Sequence, residues 1–243
     1  MRKILAFTLA ETLIVMGIIG IVSALTLPNL NASTGEKEKV AKVKKLYSNL
    51  NDAVGRATAI YGPLSEWTKN DTTEAAQVTR FGERLTEFMK VSKNCGVNAN
   101  QGCISKTTPK TTSGTGGTNL STNDTSTTNY KVILADGSSF QIVYYNTGHF
   151  SVVFDIDGPN KGSNTIGKDV FCFDLDTNNS EVAIPSPSVL LAFLLTTGRG
   201  EEAANWVINY DNMDYLKADS TGKCSNSNVT LNALANPPVV SCK

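Results

Sequence analysis

Apolar and polar positions along the chain change period several times, and each change predicts an element. Residues 7–30, FTLAETLIVMGIIGIVSALTLPNL, form a nearly unbroken apolar run. As a helix this run extends about 36 Å at about 1.5 Å per residue. That exceeds the roughly 30 Å hydrocarbon layer of a bilayer, so a transmembrane helix is expected. A short break at Asn31–Gly35 follows. Val40, Val43, Tyr47, Leu50, Val54, Ala57 and Tyr61 then recur at spacings of three and four, the pattern of an amphipathic helix lying across a sheet. Lys37, Lys39, Lys42, Lys44 and Lys45 fall mostly off that stripe. A further helix is expected over Thr73–Val91, with Val78, Phe81, Leu85 and Phe88 facing inward.

Residues 105–129 break the pattern with Thr, Ser, Gly and Asn, a composition that buries little apolar surface and reads as an exposed low-complexity loop. Beyond it the period becomes two. Tyr130–Leu134 and Ser139–Tyr144 flank Asp136–Gly137, a strong hairpin signal. His149–Ile156 and Asp169–Leu175 predict two more strands. Pro185 and Pro187 then interrupt the chain, Ser188–Thr197 reads as a short apolar helix, and Glu201–Leu216 as one strand with a closing loop. The expected fold class is α+β: a long N-terminal transmembrane helix continuing into a soluble domain built on an antiparallel sheet.

Composition narrows the function. The 22 basic and 22 acidic residues cancel, so nucleic acid is not indicated as a partner. His149 is the single histidine, which removes a histidine-based triad or a multi-histidine metal site, and no nucleophile–base constellation appears elsewhere. An enzyme is not expected. Five cysteines in a chain with an export signal suggest two disulfides and a leftover thiol. Proximity pairs Cys95 with Cys103 and Cys224 with Cys242. The second pair closes a loop worth about 3 kcal/mol in the chain-entropy model. Cys172 would remain as a buried thiol in an apolar strand, a poor setting for a reactive thiolate.

Glu11 is the anomaly in the apolar run, since an ionisable group in a bilayer costs on the order of a few kcal/mol. Arg2 and Lys3 place the short N-terminus on the cytoplasmic side. Met1-Arg2-Lys3-Ile4-Leu5-Ala6 followed by Phe7-Thr8-Leu9-Ala10-Glu11, together with Gly17, Gly20 and Pro28, resembles the N-terminus of type IV pilins and of the pseudopilins of type II secretion. The resemblance covers about thirty residues. It implies that residues 1–6 are a leader cut before Phe7, that the new terminus is N-methylated, and that 7–30 is a transmembrane and assembly helix. Residues 31–243 would be a pilin-like head. Ala6 stands where the family has Gly before the cut. In a bundle, Glu11 of one subunit would neutralise the freed Phe7 amine of its neighbour, which makes the acid an assembly signal. Pro28 would kink the helix or end it.

The loop Asp155-Ile156-Asp157-Gly158-Pro159-Asn160-Lys161-Gly162-Ser163-Asn164 carries side-chain oxygens at near-alternating positions, with Asp169 downstream. Such spacing suits a hard cation, and the loop resembles the calcium loops of some pseudopilins, so Asp155, Asp157, Asn160, Asn164 and Asp169 are candidate calcium ligands. The alternative is a turn whose side chains cap their own backbone. A second acidic stretch, Asp174–Glu181, reads as a solvated turn.

The resemblance thus implies a structural subunit of a type IV pilus or a secretion pseudopilus. Its partners would be homologous subunits, a prepilin peptidase, a membrane and an inner-membrane assembly platform. It would stand as a single-pass protein of the bacterial inner membrane with its head outside the cytoplasm, and in a periplasmic or cell-surface filament after assembly. Two alternatives stay open: a secretory signal removed after Val22-Ser23-Ala24, and a single-pass anchored binding domain that does not polymerise.

Overall fold

The computed structural model describes residues 9–111, 123–146, 149–177, 181–183 and 200–243. The chain divides into two compact units, the residues up to Glu38 and Lys39–Lys243.

The first unit is carried by the opening part of helix α1, Leu9–Tyr61. The break expected at 31–35 is absent, and the backbone is helical through Pro28 and through that stretch. The expected transmembrane helix is corrected: among the described residues, no helix is long and apolar enough to cross a membrane. At 53 residues α1 has the length. Its apolar run, however, is confined to the opening of the helix. Glu11 interrupts that run, and from Glu36 onward the helix is rich in Lys and Glu.

The second unit is built on the rest of α1. Val43, Leu46, Leu50, Ala53, Val54 and Ala57 are buried along one stripe, and Tyr47 beside them stacks on Phe173 with ring centroids 5.5 Å apart. A single turn, α2 (Leu64–Trp67), leads to α3 (Glu74–Thr86). Thr73 caps α3 by accepting the Ala76 N–H at 3.3 Å. Val78, Phe81 and Leu85 point into the core as expected. The helix stops sooner than expected because Val91–Gly96 is strand β1.

The sheet has six antiparallel strands in sequence order: β1, β2 (Tyr130–Leu134), β3 (Ser139–Asn146), β4 (His149–Asp155), β5 (Val170–Asp176) and β6 (Glu181–Ala183). The Asp136–Gly137 hairpin forms as expected, with Gly137 at φ +86° and Ser138 N donating to Asp136 Oδ1 at 3.2 Å. Register sorts the residues by face. Tyr130, Val132, Phe140, Ile142, Phe150, Val152, Phe154, Phe171, Phe173 and Leu175 form the inner face against α1 and α3. Here the Tyr130 ring lies so close to α3 that a Cβ at Gly82 would fall 2.3 Å from it.

Helix α4, Gly200–Tyr210, replaces the strand expected within Glu201–Leu216, and a 3-10 turn at Asp214–Lys217 follows it. Trp206, Val207 and Ile208 favour strands locally, but Ala203, Ala204 and Val207 share a helical face and are fully buried in the core. The helix expected at Ser188–Thr197 lies outside the described residues. Strands β1 and β6 were not among those expected.

Candidate functional site

Two regions carry the residues singled out in the sequence. The first is the opening part of α1. Leu9, Leu13, Ile14, Val15, Met16, Ile18, Ile19, Ile21 and Val22 are each more than half exposed, Leu9 at 77 %. Exposed apolar side chains in such number form an extended apolar surface. Glu11 is exposed on this helix. A Cβ added at Gly17 or Gly20 would meet nothing within 4 Å, so each glycine leaves a flat place on the helix surface. Ala6 and Phe7 lie outside the described residues, and so does any geometry of the cleavage point.

The second region is the acidic loop between β4 and β5. Ile156 N donates to the Asp169 carbonyl at 2.9 Å and closes its base. Asp155, 7 % exposed, accepts the N–H groups of Asp157 at 3.1 Å and Gly158 at 3.0 Å through Oδ1. Burial pushes its carboxyl up to about 7, against those two donors and with help from the charges of Asp169 and Asp157. Asp169 is fully buried and spends both oxygens on the loop backbone: Oδ1 on Thr165 N at 2.5 Å, Oδ2 on Ser163 N at 2.5 Å and Ser163 Oγ at 3.0 Å. Asn164, at φ +46°, turns its amide away and donates to the Thr107 carbonyl at 2.7 Å. Asn160 is exposed.

The five candidate calcium ligands therefore do not converge as a set: Asn164 turns away and Asn160 is exposed, although Asp157 and Asp169 face a common space beside Gly162. Among the described residues, no group of three or more His, Cys, Asp or Glu is placed to hold a metal ion. Three of the six carboxylate oxygens, Asp155 Oδ1 and both of Asp169, cap backbone N–H groups, the arrangement of a self-supporting turn. The residues present do not fit a bound calcium.

Sequence reasoning missed the groups that do face these acids. Lys39 and Lys42 fall off the apolar stripe, and Lys39 Nζ lies 3.4 Å from Asp157 Oδ2 and Lys42 Nζ 3.4 Å from Asp157 Oδ1. Lys45 pairs with Asp136 at 2.9 Å, and Lys44 with Asp211. Four lysines off the apolar stripe thus meet aspartates on three separate loops. The i, i+3 and i+6 spacing of Lys39, Lys42 and Lys45 beside the buried stripe was the available signal.

The low-complexity segment also differs from the exposed loop expected, in its described parts. Lys110 N donates to the Asn164 carbonyl at 2.9 Å and Asp124 N to the Ser105 carbonyl at 3.1 Å. Lys131 and Asn129 are buried on the outer side of the sheet, with Asn129 Nδ2 donating to Gln141 Oε1 at 3.1 Å. Burial holds the Lys131 ammonium below its usual range, and Asp124 partly offsets this. Short polar side chains allow these flanks to satisfy their own backbone while covering a sheet face.

Both disulfides pair as proximity suggests: Cys95–Cys103 with S–S 2.02 Å and Cys224–Cys242 with S–S 2.06 Å. Cys172 is a buried free cysteine. Asp214 anchors the C-terminal bridge, its Oδ2 accepting Ser241 Oγ and Cys242 N at 2.8 Å each.

No protein-family model, curated protein or solved structure matches this chain.

Proposed function

We propose that this protein is a structural subunit of a filament, processed before Phe7 and assembled through its N-terminal helix in the manner of type IV pilins and type II secretion pseudopilins. The observation that carries the reading is the opening of α1: nine exposed apolar side chains with one acid, Glu11, near the front. Each such side chain gains about 1.5–3 kcal/mol when fully buried. A bundle of identical helices buries them together, and the flat places at Gly17 and Gly20 let neighbouring backbones approach.

Within that bundle Glu11 supplies direction. Removal of the leader frees an amine at Phe7, about one helical turn away. A carboxylate among apolar side chains is costly, and a neighbour's amine facing it compensates that cost, so a single axial stagger is favoured. The partners are copies of this chain or homologous subunits, and a prepilin peptidase that makes the cut. The two disulfides suit a head that works in an oxidising compartment outside the cytoplasm.

The test replaces Glu11 with Ala in cells that carry a prepilin peptidase and follows sheared filaments by immunoblot. Filament incorporation is expected to fall at least tenfold while the protein level in the cell holds. Equal incorporation by Glu11→Ala would end the proposal. So would a mature N-terminus, read by mass spectrometry, near Leu25 in place of an N-methylated Phe7.

A further inference from the structure

The β4–β5 loop gathers three carboxylates and must compensate them. A Cβ at Gly162, where φ is +73°, would lie 2.5 Å from Asp169 Oδ2 and 3.1 Å from Asp157 Oδ2, so both oxygens face one small space beside this glycine. Asp155 lies near enough to feel both charges. Like charges brought together in a partly buried loop repel unless each meets donors. Backbone N–H groups serve Asp155 and Asp169. Asp157 is served differently, by two ammonium groups from α1.

Lys39 makes the more informative contact. Its Nζ donates to the main-chain carbonyl of Lys168 at 3.2 Å while standing 3.4 Å from Asp157 Oδ2. One carboxylate oxygen and one backbone carbonyl oxygen, from opposite ends of the loop, are the ligand types that a hard cation gathers. We infer that the Lys39 ammonium is a built-in cation for this loop, joining Asp157 to Lys168 across its mouth, so that the loop closes without a divalent ion. Lys42, on the other oxygen of Asp157, completes the neutralisation.

The position of Lys39 in the chain supports this role. Val40 and Val43 beside it are buried, so the stem leaves a helix already anchored in the core. A tethered ammonium is held at high effective concentration and cannot be diluted or chelated away. The inference does not depend on the filament reading, since it concerns the head alone.

The experiment is thermal unfolding of the full chain in detergent micelles, in EDTA and in millimolar calcium, for the wild type, Lys39→Met, Asp157→Asn and the double variant. The wild type is expected to melt at the same temperature in both solutions. Each single variant is expected to melt about 3 °C lower, and the double variant no lower than the worse single. Lys39→Arg, which keeps the cation, is expected to stay within about one degree of the wild type and insensitive to calcium. That variant keeps the test open should Lys39→Met fail to fold. A wild-type melting point that rises by more than about 3 °C in calcium over EDTA would overturn the inference. Losses that simply add in the double variant would overturn it too, because the two groups would then act independently.

Discussion

The two parts of α1 are written with similar apolar residues and meet opposite fates. Between Leu9 and Val22 the apolar side chains point all round the helix and stay exposed. From Val40 to Ala57 they keep to one stripe and are buried against the sheet, while the lysines off the stripe find aspartates. A helix with one apolar face can be satisfied within its own chain. A helix that is apolar on every side offers more apolar surface than one sheet can cover. The difference between the two parts of α1 lies in angular distribution more than in hydrophobicity.

That contrast can be broken most sharply by truncation. Leu50 is fully buried, and Leu50→Ala is expected to cost the head about 2–5 kcal/mol, seen in chemical denaturation of the full chain. Ile14→Ser, in the exposed part, is expected to leave the same transition in place. If Ile14→Ser lowered head stability as much as Leu50→Ala, the division of labour along α1 would be wrong.

A smaller effect concerns the acid loop that the second part of α1 faces. Asp155 has its carboxyl raised from 3.8 to about 7, chiefly by burial. The folded protein therefore holds a proton that the unfolded chain releases. Its contribution is fully present below about pH 4, falls as pH rises toward 7, and is flat above that. The total change is on the order of a few kcal/mol. Asp155→Asn keeps the Oδ1 acceptor for Asp157 N and Gly158 N and cannot ionise. It is expected to flatten the pH dependence of the melting temperature between 4 and 7 and to melt higher than wild type at pH 8. A wild type whose stability rose across that interval would show that the loop prefers the ionised acid.

The smallest effect belongs to the exposed pairs. Lys45 and Asp136 are both substantially exposed, so Lys45→Met is expected to change stability by less than about 1 kcal/mol, and less still in high salt. A larger loss would mean that the lysine pairs hold α1 on the sheet as firmly as its apolar stripe does.

What could be read in the chain beforehand was whatever depends on near neighbours. The stripe of α1, the buried face of α3, the Asp136–Gly137 hairpin, the alternation of β3 to β5 and both disulfide pairs follow from local spacing, because turn chemistry and side-chain direction repeat at fixed intervals. The presence of an acid, Glu11, within an apolar run was legible too; its exposure was not.

Tertiary structure decided the rest. It set Trp206, Val207 and Ile208 in a helix, since burial of Ala203 and Ala204 outweighs a modest local strand preference. It turned Asn164 of the calcium-like spacing away from Asp155, Asp157 and Asp169, and gave each of those acids its own donors. Lys39 found its partners only there, because Asp157 and Lys168 are more than a hundred residues away along the chain. Ligand spacing in one dimension states which oxygens are available. Which of them share a cation depends on the direction each side chain takes, and long-range packing sets that direction.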